Sequence, residues 1–364
     1  MPMPKIISVA EAIPEFQITQ NETMEFAKEL FTDSFKDIER LLPAFQNGQI
    51  EKRHFVKGLD WFKENHSFQE KNDTYIEQAL ELGINAIEAC LSSSTYLSQP
   101  ISYSEIDAIF TISSSGIATP SIEARIMNHL PFLNETKRIP IWGLGCAGGA
   151  SGMSRAYEYC LAFPRAKVLV LSIELCSLTF QKNDHSKSNL IGTSLFADGV
   201  ACALIVGDQV PVHEISKKST TPRLLSTHSS TMKNSTDVMG WEVKDEGLFV
   251  VFSKSIPTLI ENWLKPNVDQ FLTRNQLTTA DIKHFIAHPG GLKVLEAYVK
   301  ALEFDDSMIK HSFQVLREFG NMSSATVFYV LNRFMQEDIL EGEKGLVAAL
   351  GPGFSSELLL VRWE

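Results

Sequence analysis

Short apolar runs, closed by glycine or polar turns and spaced by segments of helical periodicity, constrain this 364-residue chain more than any other feature. "IDAIFTIS" from Ile106, "RIPIWGLG" from Arg138, "KVLVLSIEL" from Lys167 and "GVACALIVGD" from Gly199 are strand-like. Between them, "SIEARIMNHL" and the segment carrying Met153, Ala156, Tyr157, Cys160 and Leu161 repeat at helical spacing. Apolar runs without strict alternation suit buried strands, and strands alternating with helices define an α/β architecture. The pattern returns later in the chain. "SEIDAIFTISSSG" at 104–116 has a counterpart of similar shape in "ADIKHFIAHPGG" at 280–291, and the late run at 199–208 has one in "KGLVAALGPGFSSELLLVRW" at 344–363. With 44% hydrophobic content the chain can bury a large core, so the reading is two similar α/β halves, 1–222 and 223–364, meeting near the polar "RLLSTHSSTMKNSTD". Upstream, "NETMEFAKELF" predicts a helix from Asn21, and "DTYIEQALELGINAIEACLSSS" a long one with Ile76, Ala79, Leu80, Ile84, Ile87 and Leu91 inward.

Charge and cysteine usage narrow the function classes. A formal charge of -11 argues against a nucleic-acid surface, so an anionic ligand must meet a local basic patch. Five cysteines without a CxxC pair favour reduced thiols over a disulfide framework or a zinc site. There is no HExxH, and His284 and His288, in a strand-like run, would stand roughly 13 Å apart, too far to share a metal. No run reaches the ~18 to 20 apolar residues of a membrane span, and the N-terminal segment lacks a basic region followed by an apolar one, which points to the cytoplasm.

Cys146, in "IWGLGCAGGASG", stands between an apolar run and a helical pattern. At such a turn backbone amides and the helix dipole favour a thiolate, and nearby glycines let a carbonyl approach. Free cysteine is equally a common buried core residue, and the local string leaves both readings open. A thiol nucleophile needs a proton acceptor and donors for a developing oxyanion. His288 ends the run in "FIAHPGG", and Asn321 follows Gly320 in "REFGNMSSAT", ahead of the apolar helix pattern "TVFYVLNRF". Taken singly each reads as a turn or capping residue; with Cys146 they form a Cys/His/Asn set.

"GLGCAGGASG", "IAHPGG", "FGNMSSAT" and "ALGPGFSSE", in that order and at these separations, resemble the type III polyketide synthases, the chalcone and stilbene synthase family of the thiolase superfamily. The resemblance spans nearly the whole chain and implies a homodimer of thiolase-fold subunits, each with two αβαβα-like halves in a five-layered core. It implies an acyl-CoA starter extended with malonyl-CoA, no cofactor and no metal. Carried over, Cys146 holds the starter and then the growing chain as a thioester, His288 keeps the thiolate ionised as an ion pair, and His288 with Asn321 holds the thioester oxygen. Imidazole and carboxamide suit an enolate oxygen because they donate without presenting a strong acid to the carbanion.

The same resemblance places Phe196 between the CoA tunnel and the cavity, although a phenylalanine in "SLFADGVACAL" also reads as core. A second gate phenylalanine falls at Val250, a departure that implies a wider passage. Lys52 and Arg53 match the stretch that meets CoA phosphates and read otherwise as a surface turn. Cys176, Leu178, Thr179 and Ser323 match cavity-lining positions, Gly351, Pro352 and Gly353 a loop that shapes the cavity, and Thr119 the position that reaches the partner subunit; ordinary packing is the alternative for each. "ISSSGIATPSIEAR" and "WGLGCAGGASG" resemble the bacterial members, which implies medium or long acyl-CoA starters, two or three extensions and alkylpyrone or resorcinolic products. A carrier-protein-dependent ketoacyl synthase with a single condensation, or a non-catalytic acyl-binding subunit of the same fold, are the other readings.

Overall fold

The computed structural model describes residues 3–31, 42–253 and 255–364. Thirteen strands form among them. The first half contributes β1 (Lys5–Ala12), β2 (Phe16–Thr19), β3 (Lys52–Phe55), β4 (Ala108–Ser113), β5 (Lys137–Trp142), β6 (Lys167–Leu175) and β7 (Asp198–Val206). The second contributes β8 (Pro222–Thr231), β9 (Met239–Lys244), β10 (Gly247–Phe252), β11 (Ile282–Ala287), β12 (Lys344–Gly351) and β13 (Ser355–Trp363). Nine of them make one sheet in the order β11-β12-β13-β8-β1-β7-β6-β4-β5, while β2 pairs with β3 and β9 with β10 in separate ribbons.

The large sheet is two half-sheets joined at a corner. β1 and β8 share a single register pair, Lys5 with Arg223. On one side β1 runs antiparallel to β7, β7 antiparallel to β6 and β6 parallel to β4; on the other β8 runs antiparallel to β13, β13 antiparallel to β12 and β12 parallel to β11. Strand order and direction thus repeat, and the edge strand β5 is the addition in the first half. β4, β6 and β7 are buried along their lengths save Lys167, which is why "KVLVLSIEL" and "GVACALIVGD" do not alternate.

Two helices, Gly148–Ala162 and Thr326–Gln336, lie between the half-sheets and touch strands of both. Almost every residue of Thr326–Gln336 is buried, as a central layer requires. The Phe68–Leu91 helix covers the outer face of β1, β7 and β6, and Leu292–Leu302 and Lys310–Phe319 pack outside the second half. Helix, sheet, helix, sheet, helix gives five layers.

Three expectations change in detail. The Phe68–Leu91 helix begins earlier than its apolar spacing predicts, because Ser67 and Glu70 close a reciprocal capping box ahead of it. Its inward face is partly turned: Ala79, Ile87 and Leu91 are buried as expected, but Tyr75, Leu82, Gly83 and Ala86 join them, whereas Ile76, Leu80 and Ile84 are only half-buried. Gly83 has to face inward, since a side chain there would meet Ile126 at 2.9 Å. "RLLSTHSST" is a strand rather than a polar connection, because β8 fills its ladder against β13 and its Ser229 hydroxyl donates to Glu357.

Candidate active site

Cys146 sits in the turn Gly145–Ala147, between β5 and the central Gly148–Ala162 helix. Gly145 adopts φ +47°, and a side chain there would lie 2.7 Å from Pro352. Asn321 occupies the equivalent place in the second half, ahead of the turn Ser323–Ala325 and the Thr326–Gln336 helix. The two turns touch so closely that a Cβ on Gly149 would stand 2.1 Å from the carbonyl oxygen of Ser324. Gly145 and Gly149 are therefore packing requirements between the halves, whereas Gly152 makes room for Ile112 and Val170 of its own half, and the N-terminal ends of both central helices meet near Cys146.

The cysteine is almost fully buried, with the polar side chains of Ser323 and Asn321 near enough to favour its thiolate. Asn321 Oδ1 accepts from the Ser323 N–H at 2.8 Å, and its Nδ2 donates to the Gly290 carbonyl at 3.2 Å, which ties the loop after His288 to the same cluster. His288 follows the last residue of β11, and its backbone N–H donates to Ala348 on β12 at 2.8 Å. Its imidazole is buried with neither ring nitrogen partnered.

Burial works against both charges of the ion pair that the resemblance implies. Burial pushes the Cys146 thiol up to about 11; the side chains of Ser323 and Asn321 work against this, and the Glu174 charge adds to it. Burial alone pushes His288 down to about 3. With no counter-charge fixed on either side chain, a low-dielectric pocket favours neutral thiol and neutral imidazole.

Glu174 is a residue the sequence reading missed. It sits inside "KVLVLSIEL", where strand packing masks it, yet it is fully buried and accepts from Ser114 N–H and Oγ at 3.1 Å each and from Ser324 Oγ. Burial raises its carboxyl to about 7 against the pull of these bonds. A charged residue in a run of buried strand positions is the one signal that could have flagged it.

Beside this cluster lies an apolar chamber whose walls include Cys176, Thr179, Phe196 and Val250. The Phe196 ring lies 5.8 Å from Trp241 and 5.4 Å from Phe252, centroid to centroid. Val250 pairs with Trp241 in the β9/β10 ribbon, so the departure at Val250 leaves aromatic side chains around Phe196 after all, from neighbouring positions. Leu178 is buried and shares a smaller cleft with Thr179. A side chain on Gly351 would meet Leu144 O at 2.5 Å, so this glycine and Pro352 buttress the cysteine turn, while Gly353, at φ +125°, completes the bend into β13. Thr119 is exposed on the surface beside Ile117.

Of the basic pair, Arg53 needs correction. Arg53 is fully buried on β3, with Nη1 donating to the carbonyls of Thr193 and Phe196 at 2.7 Å each, so it cannot meet a phosphate at the surface. Arginine is drawn inside because those carbonyls and the nearby Asp198 charge need a long cationic side chain. Lys52 is half-buried and donates to Gln17 Oε1 at 3.3 Å.

Two like halves that meet around a buried cysteine, a histidine and an asparagine define a condensing enzyme of the thiolase fold. The family description "Chalcone and stilbene synthases, N-terminal domain" matches residues 4–210, and its C-terminal counterpart residues 223–363. The chain belongs to this family: it is a type III polyketide synthase, an acyltransferase that joins acyl units by decarboxylative condensation. It is 52% identical over 360 residues to the "Putative chalcone synthase" of Bacillus subtilis (strain 168), covering 99% of this chain and 98% of that one. It is 30% identical to the 1,3,6,8-tetrahydroxynaphthalene synthase of Streptomyces coelicolor over 97% of this chain and 90% of the relative. The crystal structure of the S. coelicolor A3(2) synthase superposes with a TM-score of 0.89 at 28% identity, covering 99% of each chain.

Proposed function

We propose that this synthase loads a medium- or long-chain fatty acyl-CoA on Cys146, extends it two or three times with malonyl-CoA and releases an alkylpyrone or a related resorcinolic product. CoA thioesters are its substrates, and no cofactor takes part. His288 and Asn321 hold the thioester and enolate oxygens, and Ser323 supports Asn321. The carrying observation is the chamber beside Cys146. Its walls include Phe26, Phe55, Leu59, Phe62 and Phe180, an aromatic and aliphatic lining suited to an alkyl chain. A relative supports the product class: the "Alpha-pyrone synthesis polyketide synthase-like" protein of Mycobacterium tuberculosis is 28% identical over 98% of this chain and 90% of its own. Acyl-CoA esters from acetyl to stearoyl plus one aromatic ester, incubated with labelled malonyl-CoA, test the reading. Mass spectrometry should find pyrones with two or three labelled units and a preference for starters longer than acetyl; a preference for the aromatic ester, or a requirement for a carrier protein, would overturn it.

The working unit is a homodimer. β5 has one strand neighbour, leaving its outer backbone edge open among the described residues, and Trp142, Ile117, Leu133 and Phe163 are exposed at 52%, 46%, 42% and 47%. Open strand edges flanked by exposed large apolar side chains, here Trp142 and Ile117 at one end of β5 and Leu133 and Phe163 at the other, mark association surfaces. Light scattering should give twice the 40.7 kDa chain mass for wild type and the single-chain mass for Trp142→Arg. A monomeric wild type at micromolar concentration would refute the assembly.

No helix among the described residues is long and apolar enough to cross a membrane.

A further inference from the structure

One wall group of the chamber differs from the others. Arg53 uses Nη1 on the carbonyls of Thr193 and Phe196, and its guanidinium carbon lies 5.3 Å from the Phe55 ring centroid. Thr193, Phe196 and Phe55 are themselves wall residues, so the guanidinium stands among the walls. Nε and Nη2 have no hydrogen-bond partner, although the residue is 0% exposed. The other polar wall side chains have theirs. Thr23 donates to Thr19 O, Ser177 to Asp198, Thr179 to Cys176 O, Thr193 to Asn189 O, and Asn189 to the carbonyls of Gln181 and Asp184. Among the described wall residues, Arg53 alone keeps unpaired side-chain N–H donors.

Buried N–H groups without an acceptor are costly, so an acceptor is expected to come with the ligand. Its charge state follows from the surroundings. Asp198 already balances the arginine charge, and its oxygens accept from Val56 N–H, Ser177 N–H and Ser177 Oγ. A carboxylate would leave excess negative charge in an apolar chamber, whereas a neutral carbonyl oxygen would satisfy the donors without one.

An alkyl starter carries no such oxygen. Each condensation, however, inserts two carbons next to the Cys146 sulfur and moves earlier β-keto oxygens that much deeper. We propose that Arg53 anchors a keto oxygen of the elongated chain in the chamber, and thereby fixes the number of extensions at which the chain is held for release. This rests on Cys146 carrying an acyl-CoA-derived chain.

The test uses decanoyl-CoA and its 3-oxo, 5-oxo and 7-oxo analogues, binding to Cys146→Ala protein by calorimetry. A hydrogen bond to a charged donor predicts that one oxo ester binds about tenfold or more tighter than decanoyl-CoA. The advantage should vanish when Arg53→Gln is added and survive in part with Arg53→Lys, which keeps the charge. The readout is the oxo-to-alkyl affinity ratio within each protein, which a uniform loss of fold does not imitate; circular dichroism and thermal unfolding identify the variants that remain folded. In the otherwise wild-type enzyme, Arg53→Lys should shift the number of labelled malonyl units per product. Equal binding of all four esters, or an advantage that persists without Arg53, overturns the anchor. If decanoyl-CoA acylates wild-type Cys146 yet no oxo preference exists, the anchor alone fails; if none of the four acylates Cys146 or binds, the acyl-CoA reading fails with it.

Discussion

Cys146→Ala is expected to accept no starter and release no product, whereas Asn321→Ala should still be acylated and lose about 10²- to 10³-fold in extension rate. The two changes separate because they remove different parts of the reaction. Without sulfur at the turn where the two halves meet there is no atom to carry the acyl group through successive condensations; Cys176, the other thiol nearby, lies on the turn after β6 in the chamber wall. Asn321 instead serves by position. Its Nδ2 is fixed by the Gly290 carbonyl and its Oδ1 by the Ser323 N–H, so an oxygen that develops charge beside Cys146 would draw on a carboxamide already held in place. Intact-protein mass spectrometry after acyl-CoA addition reads loading, and labelled malonyl-CoA reads extension. An acylated Cys146→Ala protein would place the nucleophile elsewhere. An Asn321→Ala variant that extends at the wild-type rate would remove the carboxamide from the oxyanion site.

The residues legible in the sequence are those whose role depends on the backbone around them. Cys146, His288 and Asn321 each follow an apolar run or precede a helix, and the glycines beside them announce turns where the two halves approach. The doubled topology was legible for a related reason: buried strands leave long apolar runs, and the runs recur in the same order. What stayed hidden depends on contacts between segments distant in sequence. Arg53 reads as part of a basic surface turn because nothing local says that the carbonyls of Thr193 and Phe196 wait 140 and 143 residues away. Trp241 and Phe252 join Phe196 only through the fold of the β9/β10 ribbon. The inward face of Phe68–Leu91 differs from its apolar spacing because glycine carries no apolar signal, although Gly83 is buried against Ile126 and Ile173.

The protonation state of the pair gives the second large effect. With the Cys146 thiol held up to about 11, its thiolate fraction at pH 7 is about 10⁻⁴, against about 3% for an ordinary cysteine near pKa 8.5. Alkylation of Cys146 by iodoacetamide in substrate-free enzyme should therefore run on the order of 10²-fold slower than that of an exposed thiol. Its rate should climb close to tenfold per pH unit from about pH 7 to pH 10, because each unit raises the thiolate fraction tenfold below the pKa. A pre-formed thiolate–imidazolium pair predicts the opposite profile, fast and flat over the same range. The sign follows from burial: His288, pushed down to about 3, stays neutral in the empty site and offers the sulfur no positive charge. Acylation then has to create both charges together. As the sulfur–carbon bond forms, the thiol proton passes to His288; as the bond to the CoA sulfur breaks, the proton ends on the departing CoA. Each charge is generated beside its opposite, where a low-dielectric pocket makes their attraction strong. Alkylation rates of wild type and His288→Gln decide between the two states. The neutral pair predicts similar slow alkylation in both proteins but a large loss of acyl-CoA loading in His288→Gln; a collapse of the alkylation rate in that variant would mean that the ion pair exists before substrate arrives.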